Sequence, residues 1–279
     1  MKINVLTWSL ITLLYVSAFA AEDKPAKGKP APTPVAVVAP TVVIAAGPKT
    51  MPPQNFIALH SGYGVHSSSL TGTGFNSDLS GAMGLIYGVE LSHQRSESGI
   101  RYIFKYDNAT ADQVAPMGVT PTDITVRREE FRVMASIPSW NSGAGEDLRL
   151  GVGYSLLQTG ATATSPNNVL TEQNSQGVVL NASYHTIFNS EWSTASEVLI
   201  YLPHKIEESP QVTGTNPNFV GAEIKLLVDY VFSENLTGFI GASYRLDQVS
   251  FEGTGTRGVT NGQDGRNFFA VPVGFKFGF

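Results

Sequence analysis

The chain has no cysteine. That excludes a disulfide framework, a cysteine-ligated Fe–S cluster, a thiol nucleophile and the acylated cysteine of a lipoprotein. Charge is scarce too: 15% of residues are Asp, Glu, Lys or Arg, against about 25% in an ordinary soluble domain. The 18 Lys and Arg are outnumbered by 23 Asp and Glu, for a net charge of -5, so no nucleic-acid partner is expected. Beyond the N-terminus there is no unbroken apolar run of the ~20 residues that a membrane-spanning helix needs. Metal-ligand spacings and a phosphate loop are missing; Thr71-Gly72-Thr73-Gly74 and Thr254-Gly255-Thr256 lead into no helical pattern. Neither a cofactor nor a metal is expected.

What is present is glycine, 28 residues, with 15 Phe and much Ser, Thr and Asn, a mixture that suits many strands joined by turns. From Phe56 onward the apolar period is two. Ile57, Leu59, Tyr63 and Val65 share a side, with Ala58, His60, Gly62 and Gly64 opposite. Met83, Leu85, Tyr87, Val89 and Leu91 stand against Gly84, Gly88, Glu90 and Ser92. The pattern recurs about ten times and ends in residues 267–279, where Phe269, Val271, Val273, Phe275, Phe277 and Phe279 make one wholly apolar face. Such a strand at an open sheet edge would aggregate. In a closed sheet whose apolar face meets lipid, no edge remains. A soluble barrel hides its apolar face inside; here the face carrying charge and glycine is the one able to fill an interior. The predicted fold is all-β: a transmembrane antiparallel up-and-down barrel of about ten strands over residues 55–279.

Connections alternate in length. Long ones are predicted at 67–80, 108–122, 160–176, 203–218 and 250–266, short turns between the others, the asymmetry of barrels with longer outer loops and short periplasmic turns. Trp192, Tyr230 and Phe232 near the short turns suit an interfacial girdle. The closing stretch, with Phe275, Phe277 and terminal Phe279, resembles the last strand of bacterial outer-membrane β-barrels. The resemblance implies a place in the cell outer membrane. It also implies that these aromatics are the signal read by the barrel-assembly machinery, with outer-membrane lipid and lipopolysaccharide as neighbours.

Residues 1–20 read as a cleaved secretory signal peptide: Lys2, an apolar stretch from Val5 to Phe19, and Ala18-Phe19-Ala20 before Ala21. Residues 21–54 are rich in Pro and Ala and read as a disordered periplasmic tail, or as a tether or plug entering the barrel.

The inward face collects Glu90, Asp107, Glu130, Glu197, Glu223, Asp229 and Asp247 against Arg101, Lys105, Arg128, Arg132, Arg149, Lys225, Arg245 and Lys276. About ten strands enclose little space. Charges so balanced either pair into an ionic core or line a small, weakly conducting pore with no single-sign ring for selectivity. Ten-stranded barrels include the omptin proteases, with paired carboxylates and an Asp–His pair at the outer rim; this sequence has neither an Asp-Asp nor an Asp-His dipeptide. His66-Ser67-Ser68, which a lipid-A deacylase reading would need, is expected in a loop, and Arg127-Arg128-Glu129-Glu130 on a solvated, projecting strand. The expected role is a small porin-like or lumen-filled structural barrel, monomeric and not an enzyme. The alternative is a surface adhesin or receptor acting through the outer loops.

Overall fold

The computed structural model describes residues 54–81, 83–96, 98–114, 123–141, 145–161 and 171–279. The predicted signal peptide, and the predicted tail up to residue 53, lie outside the described residues. Twelve β segments follow in chain order: β1 (Phe56–Gly72), β2 (Phe75–Gly81), β3 (Met83–Gln94), β4 (Arg101–Val114), β5 (Asp123–Asn141), β6 (Glu146–Ala161), β7 (Glu172–Ile187), β8 (Trp192–Tyr201), β9 (Lys205–Ser209), β10 (Thr215–Ser233), β11 (Leu236–Glu252) and β12 (Gln263–Gly278). They form ten barrel strands. β2 and β3 pair successive stretches of β1 and make one strand. β8 and β9 both pair β7 and make another, broken at Leu202-Pro203-His204, where proline has no amide hydrogen for the ladder. Neighbours are antiparallel throughout, and β12 pairs β1 from Phe56↔Gly278 to Thr71↔Gln263. That closure removes the exposed edge the apolar last strand would otherwise have.

The register fixes the barrel's size. Ladder partners lead from Phe56 through Ser92, Ile103, Met134, Gly153, Val179, Tyr201, Gly221, Asp247 and Arg266 back to β1 at Ser68. One circuit therefore shifts twelve residues, 56 to 68. With a rise of about 3.3 Å per residue and strands about 4.8 Å apart, that shear over ten strands gives a tilt of about 40° and a radius of about 10 Å.

The outward face is an apolar belt. Phe269, Val271, Val273, Phe275, Phe277 and Phe279 are all exposed, as are Leu85, Tyr87, Leu150, Val152, Ile200 and Ile240 elsewhere. Ten residue steps from Phe269 to Phe279 at that tilt cover about 25 Å, the height of a lipid-facing band. At the short-turn end the belt finishes in packed aromatics: the rings of Trp192 and Tyr230 are tilted with centroids 4.8 Å apart, and those of Tyr230 and Phe232 meet edge to face at 4.9 Å. At the other end the outward residues turn polar within one step. Tyr106 is followed by Asn108, Phe131 is preceded by Glu129, and Leu156 is followed by Gln158.

The strands continue past that border, which corrects the predicted loops. The stretch 67–80 is a hairpin: β1 runs to Gly72, β2 begins at Phe75, and Gly74 turns with φ +73°. β4 reaches Val114 and β5 starts at Asp123; β6 reaches Ala161 and β7 starts at Glu172. Within 203–218 lie β9 and the start of β10, and within 250–266 the end of β11 and the start of β12. Above the lipid the outward face turns polar while the inward face mixes polar residues with buried Leu70, Leu79, Leu157, Val249 and Phe251, so the outward apolar period is lost while the backbone ladder continues. His66-Ser67-Ser68 accordingly lies in β1, with His66 and Ser68 buried inward. Arg127 and Glu129 do face outward, as a projecting strand requires, but Arg128 and Glu130 are buried in the lumen.

Candidate functional site: the barrel lumen

Three layers fill the interior. At the outer end, residues 253–262 between β11 and β12 fold into the mouth. Val259 is fully buried, and a Cβ on Gly72 would stand 2.3 Å from it. The Thr73 amide donates to the Thr260 carbonyl at 2.9 Å. Arg257 donates to Thr213 Oγ1 at 2.8 Å and stands 3.8 and 3.9 Å from Glu208 and Asp264. The Thr213 amide and hydroxyl donate to Glu208 at 2.6 and 2.8 Å. Burial outweighs these partners: it raises the Glu208 carboxyl above its ordinary value and lowers the Arg257 guanidinium.

The middle layer is an ionic knot centred on Glu130 of β5. Its carboxylate meets Arg128 at 2.7 Å, Arg132 at 3.1 Å and, across the barrel, Arg245 of β11 at 2.8 Å. Ser155 and Tyr201 donate to it at 2.9 and 3.3 Å. Arg132 and the Tyr201 hydroxyl also donate to Glu223, at 2.9 and 2.8 Å, and Arg245 holds Asp247 at 2.8 Å. The Arg245 guanidinium lies 3.9 Å over the Tyr201 ring. Three cations and three anions thus close on one another, with Glu130, Arg132 and Tyr201 no more than 2% exposed.

Beneath it, toward the short-turn end, is a cavity of about 160 Å³. It reaches from Gln54, Arg101 and Arg149 at the mouth up to Arg128 and Phe268. Tight pairs stud its wall: Asp107 with Lys105 (2.6 Å) and His60 (2.9 Å), Asp229 with Lys276 (2.7 Å), Asp147 with Arg149 (2.7 Å). Between them the wall is apolar, with Ala58, Ile86, Leu227, Phe239 and Ala270.

None of the fifteen charged positions expected inside is exposed. Glu130, Glu223, Asp247, Arg128, Arg132 and Arg245 meet in the knot; Glu90, Arg101, Lys105, Asp107, Arg149, Glu197, Lys225, Asp229 and Lys276 line the cavity below. Lys225 stands 3.8 Å from Glu90. Phe275, Phe277 and Phe279 face outward, and the Phe279 amide donates to Asn55 at 3.2 Å. Sequence reasoning missed Tyr201, whose signal was only its inward parity on β8. It also missed Asp147, assigned to a turn, and Glu208, Arg257, Asp264 and Arg266, assigned to loops. Among the described residues no group of three His, Asp or Glu is arranged to hold a metal ion.

A closed ten-strand sheet, an apolar belt of lipid thickness outside and charge inside define an integral β-barrel protein of the bacterial outer membrane. No family model matches the chain, and no curated protein does. Among solved structures it is similar to the outer membrane protease OmpT from Escherichia coli, with 10% identity over 81% of this chain and 97% of that one and a TM-score of 0.55. Further matches are an outer membrane channel from Pseudomonas putida F1, at 12% identity over 83% and 98% with a TM-score of 0.41, and the outer membrane protein OprG from Pseudomonas aeruginosa, at 9% over 83% and 100% with 0.36. At these identities the likeness is one of fold.

Proposed function

We propose that this protein is a lumen-filled barrel without a through-channel, monomeric in the outer membrane, where its belt meets lipid and lipopolysaccharide. One observation carries the reading: Glu130, Arg132, Arg245 and Tyr201, from β5, β11 and β8, meet across the lumen fully desolvated. An ion crossing this layer would have to separate buried pairs, at several kcal/mol per ion. The folded-in outer loop supports the same reading. Fold likeness to a protease does not bring catalysis, because chemistry lives in sites grafted on folds, and the chain has neither an Asp-Asp nor an Asp-His dipeptide; the role proposed is not enzymatic. Planar-bilayer recording of the purified protein tests the central claim. A silent bilayer is the expected result, and steady single-channel currents would refute it. A second reading, recognition at the cell surface, draws on the strand ends that project beyond the lipid border with Arg127, Glu129 and Glu207 outward. Binding to host or bacterial surface polymers that is lost when these three are replaced together would favour it.

A further inference from the structure

Among the described residues, eight of the twelve Asp, Glu, Lys and Arg side chains on the cavity wall have an opposite charge within about 3 Å, and four do not. Glu90 of β3 has only Lys225 at 3.8 Å. Glu197 of β8 accepts only from the Asn181 amide, at 3.3 Å. Lys225 of β10 has no carboxylate nearer than that of Glu90 among the described residues. Arg101 of β4 donates to the amide oxygens of Gln54 and Gln94, and its Nε is buried with no hydrogen-bond partner. These groups share one space. Lys225 and Glu197 are ladder neighbours, Lys225 reaches across the barrel to Glu90, and Arg101 lies in the field of both glutamates. Two cations and two anions therefore face the cavity without tight pairs of their own, on opposite walls, with Leu227, Phe239 and Ile86 between them. An under-compensated buried charge is costly unless something completes it.

We infer that the cavity is a binding site for a small zwitterion with an apolar body, the chemical class of a free amino acid with an aliphatic side chain. Its ammonium is taken by Glu90 and Glu197, its carboxylate by Lys225 and Arg101, and its hydrocarbon lies against the apolar wall. The volume, about 160 Å³, suits one such molecule; an apolar cavity of about 150 Å³ holds one benzene. A ligand of single charge would complete one pair of residues and leave the other as it is, so selection for both charges is built into the wall. The site lies below the Glu130 knot, so its occupancy does not depend on whether the barrel conducts.

Calorimetric titration of the mature chain in detergent with leucine tests this, beside isoamylamine, which lacks the carboxylate, and isocaproate, which lacks the ammonium. Leucine should bind saturably at one site, with each analogue about 10- to 100-fold weaker, the worth of a charged hydrogen bond. Glu197→Gln should weaken leucine and isoamylamine but not isocaproate. Lys225→Met should do the reverse, and Arg101→Gln serves if that variant fails to fold, folding being read from heat-modifiable gel migration. Absence of saturable leucine binding up to about 10 mM by a folded barrel overturns the inference. So does equal affinity for the three probes, or affinities unmoved in the folded variants.

Discussion

Removing the Glu130 carboxylate tests the lumen most directly. In the intact knot Arg128, Arg132 and Arg245 are balanced by Glu130, Glu223 and Asp247. Glu130→Ala leaves three cations and two anions. Arg132 keeps Glu223 at 2.9 Å and Arg245 keeps Asp247 at 2.8 Å, so the cation that loses its ion pair is Arg128, left with the Phe268 ring at 4.8 Å and the more distant field of Asp247. A buried charge that has lost its partner costs about 3–5 kcal/mol. Ser155 also loses its acceptor, whereas Tyr201 retains Glu223. Urea unfolding in phospholipid vesicles, followed by the fluorescence of Trp140 and Trp192, should therefore report a loss of about 3–5 kcal/mol. Glu130→Gln, which keeps an acceptor for Ser155, should fall about 1 kcal/mol short of that loss. The double variant Glu130→Ala with Arg128→Ala restores two against two and should be less destabilised than the sum of its parts by at least about 1 kcal/mol. A single-variant loss below about 1 kcal/mol, or strict additivity in the double variant, would mean that solvent already compensates these charges and that the lumen is wet.

Gly88→Ala would place a Cβ 2.5 Å from Asp107 Oδ1 and 2.6 Å from the His60 ring; the crowding should cost about 1–3 kcal/mol, read from the same urea midpoint, and an unchanged midpoint would show that the pair parts freely. Glu208 has its carboxyl raised by burial, so its protonated form is favoured by the fold and its contribution is greatest below the ordinary carboxylate value, fading as pH rises through the raised one. Lowering the pH from 7 toward about 4.5 should thus steady the outer layer against urea relative to Glu208→Gln, and parallel pH profiles of the two proteins would refute this. If the terminal aromatics are read during assembly, deleting Phe279 should cut the amount of protein in the outer membrane of cells while purified chains still refold into detergent; equal membrane levels would remove that role from Phe279.

The transmembrane part of this fold was legible because lipid enforces the pattern. Met83 to Leu91 on β3 and Phe269 to Phe279 on β12 must be apolar at every second position, and no competing requirement blurs the period. The projecting ends of β1, β2, β4 and β7 were not legible for the converse reason: with water outside and a mixed filling inside, the apolar residues that remain, such as Leu70 and Leu79, turn inward, and outward residues such as Ser67, Ser69, Asn108 and Gln176 satisfy either a loop or a strand. Inward orientation followed from parity, so the charged residues of the lumen could be assembled from the sequence as a set. Which pairs they form could not, because partners such as Glu130 and Arg245 are 115 positions apart and meet only through the shear that brings β5 and β11 face to face.

Side-chain length at each level then decides what the interior becomes. With the backbone about 10 Å from the axis, a guanidinium or phenol reaches most of the way to the centre, and an alanine or serine does not. Where β5, β8 and β11 present Arg132, Tyr201 and Arg245, side chains from different walls overlap at the axis and the lumen shuts. Where the same barrel presents Ala58, Ala109, Ser183, Ala195, Ser243 and Ala270, it stays open and the cavity forms. The two layers also differ in how their charges are held. Those in the closed layer are tightly bonded, while Glu90, Glu197, Lys225 and Arg101 stand loosely around the open one. A sequence built only to fill its barrel would place long side chains at both levels. Short residues beside loosely paired charges on the short-turn side give the interior a direction, with a closed layer above and an open cavity below.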